Sequence, residues 1–343
     1  MKRKIQIITL SYNVQGKGTG GASGPGALIR AGLVGELRQQ GHELPEPVSV
    51  QLSPEEEAQY GGWNRVALAG GHLCQLVKKA RAEGSFILGL LADCNGCLGV
   101  LGGLQNSLRG GLSDSPMCEG SNSPCGQPIC ESSNSSCGQP QGETSPGETS
   151  GWPSEPFSRV GLVYVDAHGD YNTPDTSPSG MLGGMPAAVA AGKCLPRLRN
   201  RSGILTPVLY SDIIMAGMRD LDELEKEAFA EDGLPVLREK DLIELSPGLR
   251  SAMTDLSGRV DTIYVHVDLD ILDPSVAPAA GLPSPGGLTG ERLGRALRHM
   301  VGYEKVGALS LVSYRADQDA DGRTLQEVMK SLLLATSGLR PVA

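Results

Sequence analysis

Two short strings gather acids and imidazoles in a pattern that could do chemistry: DAHGD at 166–170 and HVDLD at 266–270. On an extended backbone Asp166, His168 and Asp170 would share one side, and His266, Asp268 and Asp270 would share another. Each string follows an apolar run, GLVYV at 161–165 and TIYV at 262–265, which places the carboxylates at the ends of buried strands. Four carboxylates so placed repel one another and lose hydration. A divalent cation relieves both penalties, and mixed carboxylate and imidazole donors suit Mn²⁺, Fe²⁺, Co²⁺ or Zn²⁺. Two ions sharing bridging carboxylates would lower the pKa of a water between them enough to supply hydroxide near neutral pH, which is hydrolase chemistry. A lone D-x-D more often caps a helix or decorates an exposed turn. Two such strings, each closing an apolar strand, favour a site.

The elements that must hold these strings alternate along the chain. IQIITL, FILGLLA, GLVYVDA, TPVLYSDIIMAGM, DTIYVHVDLD and VGALSLVSY read as strands. ALIRAGLVGELRQQG, NRVALAGGHLCQLVKKARAEG, CLGVLGGLQNSL and ERLGRALRHMVGYE carry the apolar spacing of helices. Alternation of this kind predicts an α/β fold of parallel βαβ units, with ligands beyond the carboxyl ends of the strands. Few Phe and Trp among abundant Leu, Val, Ala and Gly fit close packing of helices on a sheet.

A formal charge of -9 argues against a nucleic-acid partner and for a small molecule. The opening MKRKIQIITL reads as a first strand and not a signal peptide, and no stretch is long and apolar enough to span a bilayer. Four of the eight cysteines are scattered through apparent core elements, which fits a reducing cytoplasm. The others, Cys118, Cys125, Cys130 and Cys137, lie in a Ser/Gly/Pro-rich stretch at about 107–156 that reads as a disordered, dispensable insertion. That stretch contains a tandem repeat, PMCEGSNSPCGQ then PICESSNSSCGQ, whose cysteine spacing matches no usual zinc arrangement.

Taken together, VDAHGDYNT at 165–173, the SG at 179–180, VDLDILDP at 267–274, GLPSPGGLT at 281–289, GMRDLD at 217–222 and the N-terminal G-x-G-x-G-G-x-x-G-P-x-x-L-I-R at 16–30 resemble the signatures of the ureohydrolases, the arginase, agmatinase and formiminoglutamase superfamily. Outside the insertion the resemblance runs from about Tyr12 to the final helix. It implies a single domain over 1–343 with a three-layer αβα fold around a doubly wound, mostly parallel sheet. It also implies two divalent ions, Mn²⁺ by family, and a homo-oligomer, trimeric or hexameric. By position it assigns Asp166 and Asp268 as bridging ligands, Asp170 to one ion, and His168 with Asp270 to the other. Asp270 is then also a candidate to take up the water proton. Asn172 and Ser179 resemble the positions that hold a substrate carboxylate, and Asp222 the position facing its amino group.

Three positions depart from the family pattern. Cys94, in LADCNGCLG, stands where a metal-binding histidine is expected, and a thiolate tilts the site from Mn²⁺ towards Zn²⁺, Fe²⁺, Co²⁺ or Ni²⁺. Gly183 stands where arginases carry a proton-shuttling histidine, which leaves His266, His72 or a water chain as the substitute; His266 could instead support Asp268. Ser313 stands where arginases place a glutamate for the guanidinium, so arginine loses its best charge-assisted partner. The reading is a metal-dependent hydrolase of a linear C–N bond in a guanidino, hydroxyguanidino or formimino compound. The rival is a non-catalytic metal-binding homologue that binds a ligand or a partner.

Overall fold

The computed structural model describes residues 3–107 and 157–340. From residue 108 onward, the insertion and its four cysteines lie outside the described residues.

Among the described residues ten strands are defined: β1 (Ile5–Leu10), β2 (Tyr12–Asn13), β3 (Gly16–Lys17), β4 (Val48–Ser49), β5 (Phe86–Leu91), β6 (Val160–Val165), β7 (Ile213–Ala216), β8 (Val236–Leu237), β9 (Thr262–Asp268) and β10 (Val306–Val312). Eight form one sheet in the order β4-β1-β5-β10-β9-β6-β7-β8, every neighbouring pair parallel. β2 and β3 make a separate antiparallel pair. All six predicted strands are present, although TPVLYSDIIMAGM supplies only β7, its first half forming a loop and a 3₁₀ turn.

Alternation along the strands sends side chains to two apolar layers. Ile5, Ile7, Leu88, Val163, Val165, Val265, Val267 and Leu309 meet the helices Gly24–Arg30, Leu33–Gln39, Pro247–Arg259, Gly290–Val301 and Arg323–Thr336 on one face. Ile8, Ile87, Leu162, Tyr164, Tyr264 and Ala308 meet Gly62–Ala82, Gly96–Gln105 and Pro186–Ala190 on the other. Each fully buried aliphatic side chain contributes on the order of 2 kcal/mol, so the two layers together fix the sheet. The predicted helix over 27–41 is broken at Gly32, whose left-handed φ of 92° starts a new helix.

Chain order changes direction at the sheet centre. β6 follows β5 in sequence, yet β10 and β9 lie between them. Such a switch point opens a crevice beyond the carboxyl ends of the strands. Register brings the key residues level there: Val165 pairs with Val267, and Val312 pairs with Asp268. Asp166 therefore leaves β6 beside Asp268, and Ser313 leaves β10 one residue further on.

Candidate metal centre

A cavity of about 610 Å³ occupies the crevice, and Cys94, Asp166, His168, Asp170, Asp268 and Asp270 all line it. They converge differently from the expectation of two extended strings. β6 ends at Val165, Asp170 takes a left-handed φ of 48°, and Asp270 sits in a 3₁₀ turn at Leu269–Ile271. An extended continuation would carry the side chains past one another; the turns fold them back. The Tyr164 hydroxyl donates to Asp170 Oδ2 at 2.6 Å and the His168 amide to Asp166 Oδ1 at 2.7 Å, which hold the turn. Non-glycine residues at positive φ cost roughly 1 kcal/mol or more, and two of the four in the described chain, Asp170 and Ser313, are at this site.

Two sets of donor atoms are close enough to hold an ion, each within 4.8 Å: Cys94 with Asp166 and Asp170, and Asp166 with His168 and Asp270. Asp166 belongs to both. Asp268, expected as the second bridge, stands beside these sets, and its oxygens accept from donors of the chain. Oδ1 accepts from the Asp270 amide at 2.9 Å, and Oδ2 from Cys94 Sγ at 2.9 Å and Ser313 Oγ at 2.6 Å. It still touches the first set through Cys94.

Burial, together with the charges of Asp270, Asp170 and Asp268, pushes the Asp166 carboxyl well above the usual range. Burial and Asp270 do the same to Asp268. Asp170 is pushed up to about 7, burial outweighing the Tyr164 hydrogen bond. The Cys94 thiol is raised by burial and by Asp268. His168 is lowered by burial but raised more by its contacts with Asp166 and Asp270, reaching about 11; its Nδ1 lies 3.1 Å from Asp270 Oδ2. The chain thus gathers more negative charge than it neutralises, and the donor chemistry fits divalent cations.

His266 is not on the cavity wall. It is fully buried on β9, its Nδ1 3.1 Å from both the Tyr264 hydroxyl and Ser310 Oγ, and burial lowers it to about 3. Tyr264, His266 and Asp268 alternate to one side of the strand, and the neutral imidazole is walled in by Tyr264 and Ser310. His72 is on the surface, paired with Glu56 at 2.9 Å.

Asn172, Ser179, Asp222, Gly183 and Ser313 all line the cavity. Asn172 Nδ2 donates to Asp222 Oδ2 at 2.9 Å, and its Oδ1 accepts from Thr176 at 3.0 Å, so both ends of the amide are engaged. Ser313 spends its hydroxyl proton on Asp268.

Among the wall residues that were not anticipated, three bear on the site. Glu225 is buried and accepts from the Tyr171 amide at 2.9 Å and the Asp222 amide at 3.2 Å, the second bond closing a capping box that D-x-x-E at 222–225 could have announced. Arg315 lies two residues beyond Ser313. Gly281 presses against the acids: a Cβ there would meet Asp270 Oδ2 at 3.1 Å and Asp268 Oδ1 at 3.2 Å. Arg219, outside the cavity, clamps the loop after β9 by donating to the Asp270 carbonyl at 2.7 Å.

The sequence profile described as the Arginase family matches residues 149–336. The arginase of Bacillus caldovelox is 38% identical over 135 residues, which cover 39% of this chain and 45% of that one. Its native structure at pH 5.6 superposes with a TM-score of 0.74 at 24% identity, covering 100% of both chains. The arginase of Bacillus subtilis is 24% identical over 341 residues, 97% of this chain and 98% of that one. The formimidoylglutamase of Bacillus subtilis superposes with a TM-score of 0.62 at 16% identity, over 99% of this chain and 88% of that one. A profile match across more than half the sequence, on a sheet of the same architecture whose switch point gathers the acids, places this chain in the arginase family.

Proposed function

We propose that this protein is a metal-dependent hydrolase that cleaves a linear C–N bond in a guanidino, hydroxyguanidino or formimino compound. The observation that supports this most is the convergence of Cys94, Asp166, Asp170, His168 and Asp270 into two overlapping donor sets beside Asp268. Cys94, Asp166 and Asp170 would hold one divalent ion, and Asp166, His168 and Asp270 the other. When bound, the ions supply the acidification that makes a water nucleophilic at neutral pH. A soft thiol among the donors favours Zn²⁺, Fe²⁺, Co²⁺ or Ni²⁺ over the Mn²⁺ implied by family.

The chain's own groups then have distinct tasks. Asp270 is the acceptor for the water proton as the C–O bond forms, and returns that proton to the departing nitrogen as the C–N bond breaks. Ser313 and the Asp270 amide hold Asp268 in one orientation. Asn172, Ser179 and Asp222 line the substrate cavity and shape the space beside the reacting end. Ser313 in the guanidinium position and Gly183 in the shuttle position make arginine itself a poor substrate.

The same two positions favour a second reading, a metal-binding homologue without turnover. One experiment separates the readings: protein purified without chelator is analysed for metal and assayed for urea, formamide or ammonia release, with Asp166→Ala in parallel. The expected result is bound divalent metal and turnover, with metal lost and turnover down on the order of 10³-fold or more in the variant. Metal bound without release from any compound favours the second reading, and a folded protein that takes up no metal defeats both.

A further inference from the structure

Among the described residues the cavity is lined by eight carboxylates and a single Arg or Lys, Arg315. The backbone of Arg315 is fixed on both sides: its amide donates to the Ala279 carbonyl at 2.9 Å, and its carbonyl accepts from the Gln318 amide at 2.9 Å. Its side chain, by contrast, makes no ion pair and no hydrogen bond among the described residues, while other arginines of the chain are engaged: Arg159 with Asp212, Arg219 with carbonyls, Arg323 with Asp321. A half-buried guanidinium carries five donors and is costly to leave unmatched. With no carboxylate of the described residues in ion-pair contact with it, its donors remain available to an anion that enters the cavity.

Its position is set by the turn at Gly20 and Gly21. A Cβ on Gly20 would stand 3.9 Å from Arg315 Nη2, and a Cβ on Gly21 would stand 3.5 Å from the Ser313 Cα. The guanidinium and the Ser313 wall are thus one chain step from each other, on the order of 10 Å apart. The wall formed by Asn172, Ser179 and Asp222 cannot easily take an anion. The Asn172 amide is already engaged at both ends, Ser179 offers a neutral hydroxyl, and Asp222 is itself negative. Near the mouth Met181 and Leu282 are about half exposed and give apolar cover for methylenes.

We propose that Arg315 is the anion-recognising residue of this cavity, and that the substrate is an amidine joined through a short methylene linker to a carboxylate, with no α-ammonium group. This rests on the hydrolase reading and names its substrate class. The reacting end sits at the carboxylate cluster, and the carboxylate tail makes a forked, charge-assisted pair with Arg315. The side chain that recognises the tail is therefore on the β10 wall and not on the Asn172 and Ser179 wall.

The test compares compounds of similar length with different tails: 4-guanidinobutyrate (carboxylate), butylguanidine (uncharged) and agmatine (ammonium). Metal-loaded wild-type protein is expected to prefer them in that order. In Arg315→Met the ratio of kcat/KM for guanidinobutyrate over butylguanidine should fall roughly 10- to 100-fold, mostly through KM, as loss of a charge-assisted pair predicts, and Arg315→Lys should restore part of it. An unchanged ratio, or a wild-type preference for agmatine, overturns the proposal. If nothing is turned over, the hydrolase reading fails, and calorimetric binding of guanidinobutyrate against butylguanidine to wild type and Arg315→Met decides on Arg315. Equal binding of the two compounds then overturns it; a guanidinobutyrate preference lost in the variant supports it.

Discussion

The two ends of the central strands bury carboxylates in opposite ways. At the amino ends, Asp212 is almost fully enclosed, and the chain supplies its counter-charge. Arg159 grips it with two bonds of 2.6 and 2.9 Å, and Arg259 stands 3.6 Å away. At the carboxyl ends, Asp166, Asp170, Asp268 and Asp270 are enclosed to the same degree but meet a thiol, hydroxyls, amides, one imidazole and each other. The first arrangement is complete within the polypeptide, and its role is structural. The second is left short of positive charge, and that shortfall is what an external cation would fill.

The largest effect that would sharpen this contrast is the response to pH of protein stripped by chelator. Asp170, raised from 3.8 to about 7 by burial, binds its proton more tightly folded than unfolded. The sign follows: between about pH 4 and 7 the folded state holds more protons, so stability is highest at the acid end and falls as pH rises through that window, by up to a few kcal/mol. Urea unfolding of chelated protein should show that fall, and saturating divalent metal should flatten it. A chelated protein most stable at pH 7 would break the contrast.

Smaller, and at the other end, is Arg159→Ala. Removing one partner of a buried carboxylate is expensive, but Arg259 remains and Arg159 is itself 44% exposed, so a loss of about 1 to 3 kcal/mol is expected in urea unfolding. Metal content should not change, which locates the metal requirement at the carboxyl ends alone. Smallest is His72→Ala. This exposed pair with Glu56 lies in neither region, and less than about 0.5 kcal/mol should be lost, with no change in turnover.

Much of this was legible in the residues. An apolar run ending in alternating acids located β6, β9 and the crevice, because burial dictates the run and the sheet edge permits the acids. The missed features depend on conformation or on contacts distant in sequence. The left-handed turns at Asp170 and Ser313 belong to single residues that carry no periodic signal. The contacts that hold Asp268 depend on Cys94 and Ser313 arriving from two other strand ends. The face of His266 was readable by alternation, but not that Tyr264 and Ser310 would wall it in. The edge strands β4 and β8, two residues each, are too short for any pattern. Arg315 was overlooked because its significance lies in the partners it does not have.

Gly183 has one more consequence. A Cβ there would meet nothing nearer than Met181 Sδ at 3.7 Å, ordinary contact distance, on a backbone that side-chain-bearing residues readily adopt. The backbone at this position therefore accepts the first atom of a side chain without disturbing the fold that carries it. The chemistry of the cavity can therefore drift over evolutionary time while stability stands still, and the wall at 183 is the natural place to begin redesigning it.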